Sequence, residues 1–300
     1  MRTLAIASLF AVALALPASA QELVGQKDRT WTFSERLTSG TFRLFSPKGN
    51  ITVSESSGDR VEVRAEKEPG RGNIEDIAFS VTRGNDGIAI CALFEGSECN
   101  ENGTRSRRNW GGNWRDRASV NITVRLPKGV KLNTSTGNGE VTVTNVGGDV
   151  TIGSGNGKVR VSNIAGSVSA ASGNGEVTVE GAHGPVTAST GNGDVSVTTS
   201  IGPVDASSGN GDIIVAMDRL DKDDNMSFTT GNGTVRVTVP SDFAAEVEAN
   251  TGNGRFATDF PITVRGRISP TNIRGTIGDG GGRRVRMTSG NGNLEIRKRT

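Results

Sequence analysis

The sequence predicts an all-β protein: a β-solenoid-like repeat of two thin facing sheets built from 18-residue coils, preceded by a smaller β-rich N-terminal capping unit. Three observations carry this. The triplet Gly-Asn-Gly begins at residues 137, 155, 173, 191 and 209, each step being 18 residues. Across the same stretch Val141 and every ninth residue up to Ile213 is Val or Ile, and the residue two positions further on, from Val143 to Val215, is Val, Ile or Ala. No aromatic residue occurs between Arg115 and Ser227, as expected where Val and Ala fill a slot too narrow for Phe.

The residue between each apolar pair is mostly polar, and apolar–polar–apolar alternation over a short run marks a half-buried strand. The β-branched residues suit strands. Each nine-residue half repeat is then a strand and a turn, and each 18-residue unit has two strands and two different corners. A hairpin meander also fits the alternation. It has no need of an 18-residue identity, whereas a solenoid does, because equivalent residues stack at about 4.8 Å per coil. Glycine at 42 of 300 residues, about twice the usual share, becomes corner material. With only 9 prolines and no Gly-X-Y period, neither a Pro/Gly-rich disordered chain nor collagen fits.

Taken in order, residues 1–20 have the layout of a secretory signal peptide. Arg2 supplies the positive end, Leu4 to Leu16 the apolar run and Ala18-Ser19-Ala20 the cleavage site. That run is shorter than the roughly 20 residues of a spanning helix. The mature chain is therefore expected to begin at Gln21 with no transmembrane segment, in the periplasm or at the cell surface. Residues 21–118 read as the first β unit, with strand-like runs at 41–45, 50–55, 60–67, 77–83 and 87–94 and its own aromatics, among them Trp31, Phe42 and Phe79. This unit would cap one end of the solenoid, because an open edge invites aggregation. Cys91 and Cys99 are expected to form a disulfide in an oxidising compartment. Residues 100–117 form a polar loop, and 119–300 form the Gly-Asn-Gly repeat domain. Asn138, Asn156, Asn174, Asn192 and Asn210 would stack, with their amides bonding along the ladder. The stretch 287–298, MTSGNGNLEIRK, reads as the last coil.

The run VNITVRLPKGVKLNTSTGNGEVTVTNVGGDVTI and the closing MTSGNGNLEIRK resemble the DUF4097, or toastrack, family of bacterial adhesin candidates, over most of residues 40–298. The resemblance implies a secreted or envelope-exposed β-repeat domain with an adhesin-like role. It supplies no catalytic motif, and no site residue is carried over from it.

The chemistry is sparse. His183 is the only histidine and falls at a corner, so a Ser-His-Asp arrangement has no support. The run 153–159, GSGNGKV, lacks the phosphate-loop spacing and has Val159 where Ser or Thr is needed. Glu176, Asp194 and Asp212 would stack as like charges that a cation could relieve, yet Lys158, Pro185 and Pro203 break the pattern of a calcium-binding nonapeptide. No cofactor or metal is assigned. A glycosidase needs two carboxyls about 5–9.5 Å apart, and slim coils leave little room for a cleft, so a carbohydrate-active β-helix enzyme is the alternative rather than the expectation. A self-associating structural envelope protein is the other. A net charge of +2 argues against nucleic acid as partner. The best candidate for partner binding is Arg105, Arg107, Arg108, Trp110, Trp114, Arg115 and Arg117, an arginine–tryptophan combination typical of interfaces. It would suit anionic envelope glycans, lipid headgroups or another envelope protein. The nine basic residues of 264–300 are expected to form a second basic patch.

Alkylation of the non-reduced exported protein should find no free thiol; labelled Cys91 and Cys99 would rule out the pairing.

Overall fold

The structure, a computed structural model, describes residues 23–94, 97–100, 103–106, 118–220, 224–264, 269–280 and 282–299. Among these residues a 14-stranded and a 12-stranded sheet face each other, with a two-stranded ribbon outside them. In each regular coil a strand of the first sheet, such as Val150–Asn156, turns a Gly-Asn-Gly corner into a strand of the second, Val159–Ile164, and a second corner returns the chain to the first sheet at Val168–Asn174. Successive coils pair parallel in register, Val150 beside Val168 and Val159 beside Val177. The meander is thereby excluded, and the chain is solenoid-like.

The apolar columns meet between the sheets. Val141, Val159, Val177 and Val195 are fully buried, as are their partners two positions on, to within 2% exposure. Phe228 is also fully buried and sits beside Ala206 in the next coil. The slot that excludes aromatics in the regular coils therefore opens at this coil.

The corners do most to set the stacking. Asn138, Asn156, Asn174, Asn192, Asn210, Asn232, Asn291 and Asn253 form one amide ladder in that spatial order, each side-chain amide donating to the Oδ1 of the preceding asparagine at 2.7–2.9 Å. Beneath it runs a second ladder. The residue before every triplet is Ser or Thr, and its buried hydroxyl donates to a glycine carbonyl of the neighbouring coil, as from Ser172 to Gly157 at 2.9 Å and from Thr190 to Gly175 at 2.8 Å. Two glycine positions show why nothing larger fits. A Cβ on Gly173 would lie 2.5 Å from the Gly155 carbonyl oxygen, and Gly193, at φ +144°, would place one 2.5 Å from that of Gly175. At the opposite corner Asn163 donates to Asn145 at 3.0 Å, both at φ +55°.

The order of coils departs from the order of the chain at the C-terminal end. Arg284–Asn291 lies between Met226–Asn232 and Ala245–Asn253, parallel to both. In the other sheet Leu294–Lys298 lies between Val235–Val239 and Phe256–Thr258. The expectation that 287–298 forms the last coil is corrected: it is the penultimate one. The coil of 245–258 ends the stack because Asn272–Ile277 and Ile262–Val264 close its far side with antiparallel pairing.

At the other end Thr41–Ser46 and Ile51–Ser56 form a coil that pairs with Lys131–Asn138 and Val141–Val146. Beyond it the pairing becomes partly antiparallel, through Ile77–Gly84 in one sheet and through Arg60–Glu68 and Thr30–Arg36 in the other. Trp31 stacks on Phe79 with ring centroids 4.3 Å apart. Beside them Lys67, fully buried, donates to the carbonyls of Gly25 and Ile77 at 2.6 Å and of Gln26 at 2.9 Å. Burial pushes its pKa down, opposed by the charges of Asp28 and Glu75.

Asn192→Ala removes two ladder bonds and should cost about 2 kcal/mol, whereas Asn253→Ala at the ladder's end removes one and should cost about half that; urea midpoints measure both. Lys67→Met keeps the aliphatic stem but strands three carbonyls, and should cost on the order of 2–3 kcal/mol on the same assay.

Candidate interaction surfaces

The cysteines lie where the chain leaves the main stack. The strand Gly87–Phe94 is covered on both faces. Ile88, Ile90, Ala92 and Phe94 join the main core, while Cys91 and Leu93 point the other way and cluster with Phe45. Cys99 packs on that cluster and is disulfide-bonded to Cys91, with a Cα–Cα distance of 5.9 Å. Cys99 belongs to Ser97–Asn100, which pairs antiparallel with Gly103–Ser106. A Cβ on Gly103 would lie 3.7 Å from the Phe45 ring, so the ribbon rests on the outer face of the first sheet, held there by the disulfide.

Arg105 lies on this ribbon, opposite Glu98 in register. Arg107, Arg108, Trp110, Trp114, Arg115 and Arg117 lie outside the described residues. What is described is the pair of stems around them. One is the ribbon strand ending at Ser106, and the other is the buried Ala118 leading into Ser119–Pro127.

The acidic column after the Gly-Asn-Gly corners is internally matched. Lys158 pairs with Glu176 at 3.0 Å, and Arg160 pairs with Glu140. Asp194 accepts the Asp212 amide at 2.8 Å, and Asp212 accepts that of Thr234 at 2.7 Å. At the other corner Asp149 accepts both the amide and the hydroxyl of Ser167. These acids serve as links between coils. No group of three or more candidate metal ligands occurs among the described residues. His183 is exposed, its Nδ1 3.3 Å from the Ile164 carbonyl oxygen.

Five of the nine C-terminal basic residues are paired with carboxylates rather than standing as open charges. Glu248 accepts from Arg274 at 2.7 Å and Arg286 at 3.2 Å. Arg284 lies 3.6 Å from Glu246, and Arg299 pairs with Asp218. Arg297 bridges Asp259 at 3.0 Å and Glu295 at 3.2 Å, and Glu295 also holds Arg236 at 2.8 Å. Apart from Glu295 and Arg297, which share a strand, the partners lie 26 or more residues apart, so these charges cancel only in the folded chain. Arg265 and Arg267 lie outside the described residues.

A shallow cleft on the first sheet is lined by Glu246, Glu248, Arg274, Thr276, Arg284 and Arg286. Its two carboxylates recommend it as a place to look for hydrolytic chemistry. The Arg274 hydrogen bond, with that of Arg286, holds the Glu248 carboxyl below the usual range. Glycosidase chemistry needs one carboxyl raised so that it can donate a proton. Glu248 is held in the opposite state.

Arg236 likewise lowers Glu295, the Lys298 amide followed by Arg297 lowers Asp259, and Lys158 lowers Glu176. A carboxyl lowered in the folded state contributes stability that is present above its unfolded pKa and is lost as pH falls through the folded one. The melting temperature should therefore hold above about pH 5 and fall below it. Glu248→Gln should melt lower than the native protein at neutral pH, and the gap should close under acid; a pH series of thermal melts reads both.

The family model described as Toastrack DUF4097 matches residues 102–297, beginning further along the chain than the sequence resemblance suggests. Among solved structures, a candidate adhesin from Bacteroides fragilis NCTC 9343 is similar with a TM-score of 0.46 at 13% identity, over 91% of this chain and 99% of that one. A candidate lipid-binding protein from Parabacteroides distasonis ATCC 8503 has a TM-score of 0.45 at 12% identity, over 91% and 98%. A candidate adhesin from Parabacteroides merdae ATCC 43184 has 0.42 at 10% identity, over 91% and 98%. No curated protein matches the chain significantly. With the family model covering more than half of its length, this chain belongs to the Toastrack DUF4097 family.

Proposed function

We propose that the protein is an exported, non-catalytic, adhesin-like scaffold of the cell envelope, with the stack of coils as a stiff support and the arginine–tryptophan segment as its contact surface. In this reading residues 1–20 direct export and are removed, residues 21–118 carry the contact segment, and residues 119–300 form the support. The observation that carries it is the disulfide-pinned ribbon. A segment rich in arginine and tryptophan is mounted at one stem on a ribbon fixed to the sheet, and a fixed stem lowers the ordering cost of binding. The disulfide suits an oxidising compartment such as the periplasm or the cell surface. Arg274, Arg284, Arg286, Arg297 and Arg299 each pair with a carboxylate of the same chain, which favours 105–117 as the stretch suited to an anionic partner. Envelope glycans and lipid headgroups have that chemistry, and so does an acidic face of another envelope protein.

The test replaces Arg107, Arg108, Trp110, Trp114, Arg115 and Arg117 with serine in the full chain. Co-sedimentation with anionic vesicles and with an acidic polysaccharide should fall about tenfold or more, the scale of losing interface hot spots, while the melting temperature stays unchanged. Binding by the native chain should weaken with added salt. Undiminished binding by the variant would refute the role of this segment.

A further inference from the structure

Each of the eight ladder asparagines is followed by glycine. Asn-Gly is the sequence most prone to spontaneous deamidation, because an unbranched glycine leaves its backbone nitrogen free to attack the asparagine side chain. The fold blocks that attack at seven of the eight. From Gly139 to Gly292, the amide of the glycine after the asparagine donates to an asparagine carbonyl of the adjoining coil at 2.8–3.0 Å. Those seven glycines are all half-buried.

The eighth pair is Asn253–Gly254, at the end of the ladder. Asn253 donates its side-chain amide to Asn291 at 2.7 Å, and its carbonyl accepts the Gly292 amide. No coil follows to take the Gly254 amide, which has no hydrogen-bond partner among the described residues. Gly254 is also the one glycine of the eight that is exposed. We propose that Asn253–Gly254 is a site of non-enzymatic modification, at which deamidation of the asparagine ladder begins in the folded protein.

The chemistry needs only water. The Gly254 amide nitrogen loses its proton to solvent base and bonds to the Asn253 side-chain carbonyl carbon. The bond from that carbon to Nδ2 breaks, and Nδ2 takes a proton and leaves as ammonia. Water then opens the five-membered imide at either carbonyl, giving aspartate or isoaspartate. The product can no longer donate to Asn291 and sets a carboxylate against its Oδ1. The Gly292 amide is secured by the Asn253 carbonyl alone, so loosening here exposes the next Asn-Gly pair, and damage proceeds coil by coil from this end.

The full chain is incubated folded at mildly alkaline pH, then digested and mapped by mass spectrometry with isoaspartate detection. A parallel sample is held in denaturant. In the folded sample Asn253 should convert at least about tenfold faster than any of the other seven (about 1.4 kcal/mol of protection), with Asn291 next. In denaturant the eight rates should converge. Asn253→Gln, whose longer side chain cannot close the five-membered ring, should abolish the early product. A folded sample in which Asn253 is no faster than the others, or in which another ladder asparagine reacts first, would overturn the proposal.

Discussion

The structure depends on one constraint, the approach of glycine to glycine at the Gly-Asn-Gly corner. Each coil must climb by a single inter-strand spacing of about 4.8 Å, and at the corner this brings backbone onto backbone. The Gly155 carbonyl occupies the space that a Cβ on Gly173 would need. With no side chain allowed at the flanking positions, the bonding falls to the two residues that can have one. The asparagine amide links coils on the outside of the corner, and the preceding hydroxyl links them on the inside. Each bond is worth about 1 kcal/mol, but all are in line, so displacing one coil strains the bonds on both of its sides.

That repetition decides what the rest of the chain does. In the regular coils the core is a set of Val and Ala columns whose width the corners set. At the ends the columns lack a neighbour, and other devices take over. Antiparallel strands cover the open edges, as exposed edges require. Aromatic rings and the buried ammonium of Lys67 tie down residues 25–31, and ion pairs between strands hold the C-terminal coils.

How much of this is legible in the sequence follows from how local each signal is. The strands at 41–46, 51–56 and 60–68 and the parallel stack show in alternation and period, because both reflect contacts that repeat along the chain. The hydroxyl ladder is equally regular, with Ser or Thr before all eight triplets, and goes unnoticed only when attention stops at the triplet. The order of the last coils is not legible. All eight coils after the first carry the same Gly-Asn-Gly corner, so the corner specifies stacking without specifying which neighbour. Lys67 reads as a polar residue near a strand end, since the carbonyls that receive it lie 10 to 42 residues away. The C-terminal arginines read as a patch for the same reason: Glu248 meets Arg274 and Arg286 across 26 and 38 residues.

The placement of the C-terminal coil bears on how the molecule is completed. Coils from 131–146 up to 226–239 can stack in the order in which they are synthesised. The coil of 245–258 cannot, because its seat is vacant until residues 284–298 arrive to lie beneath it. Over that run assembly is vectorial, and it then waits for residues 284–298. A product cut short after residue 280 would lose an interior layer, leaving its terminal coil with nothing to rest on. The stack thereby proofreads its own length.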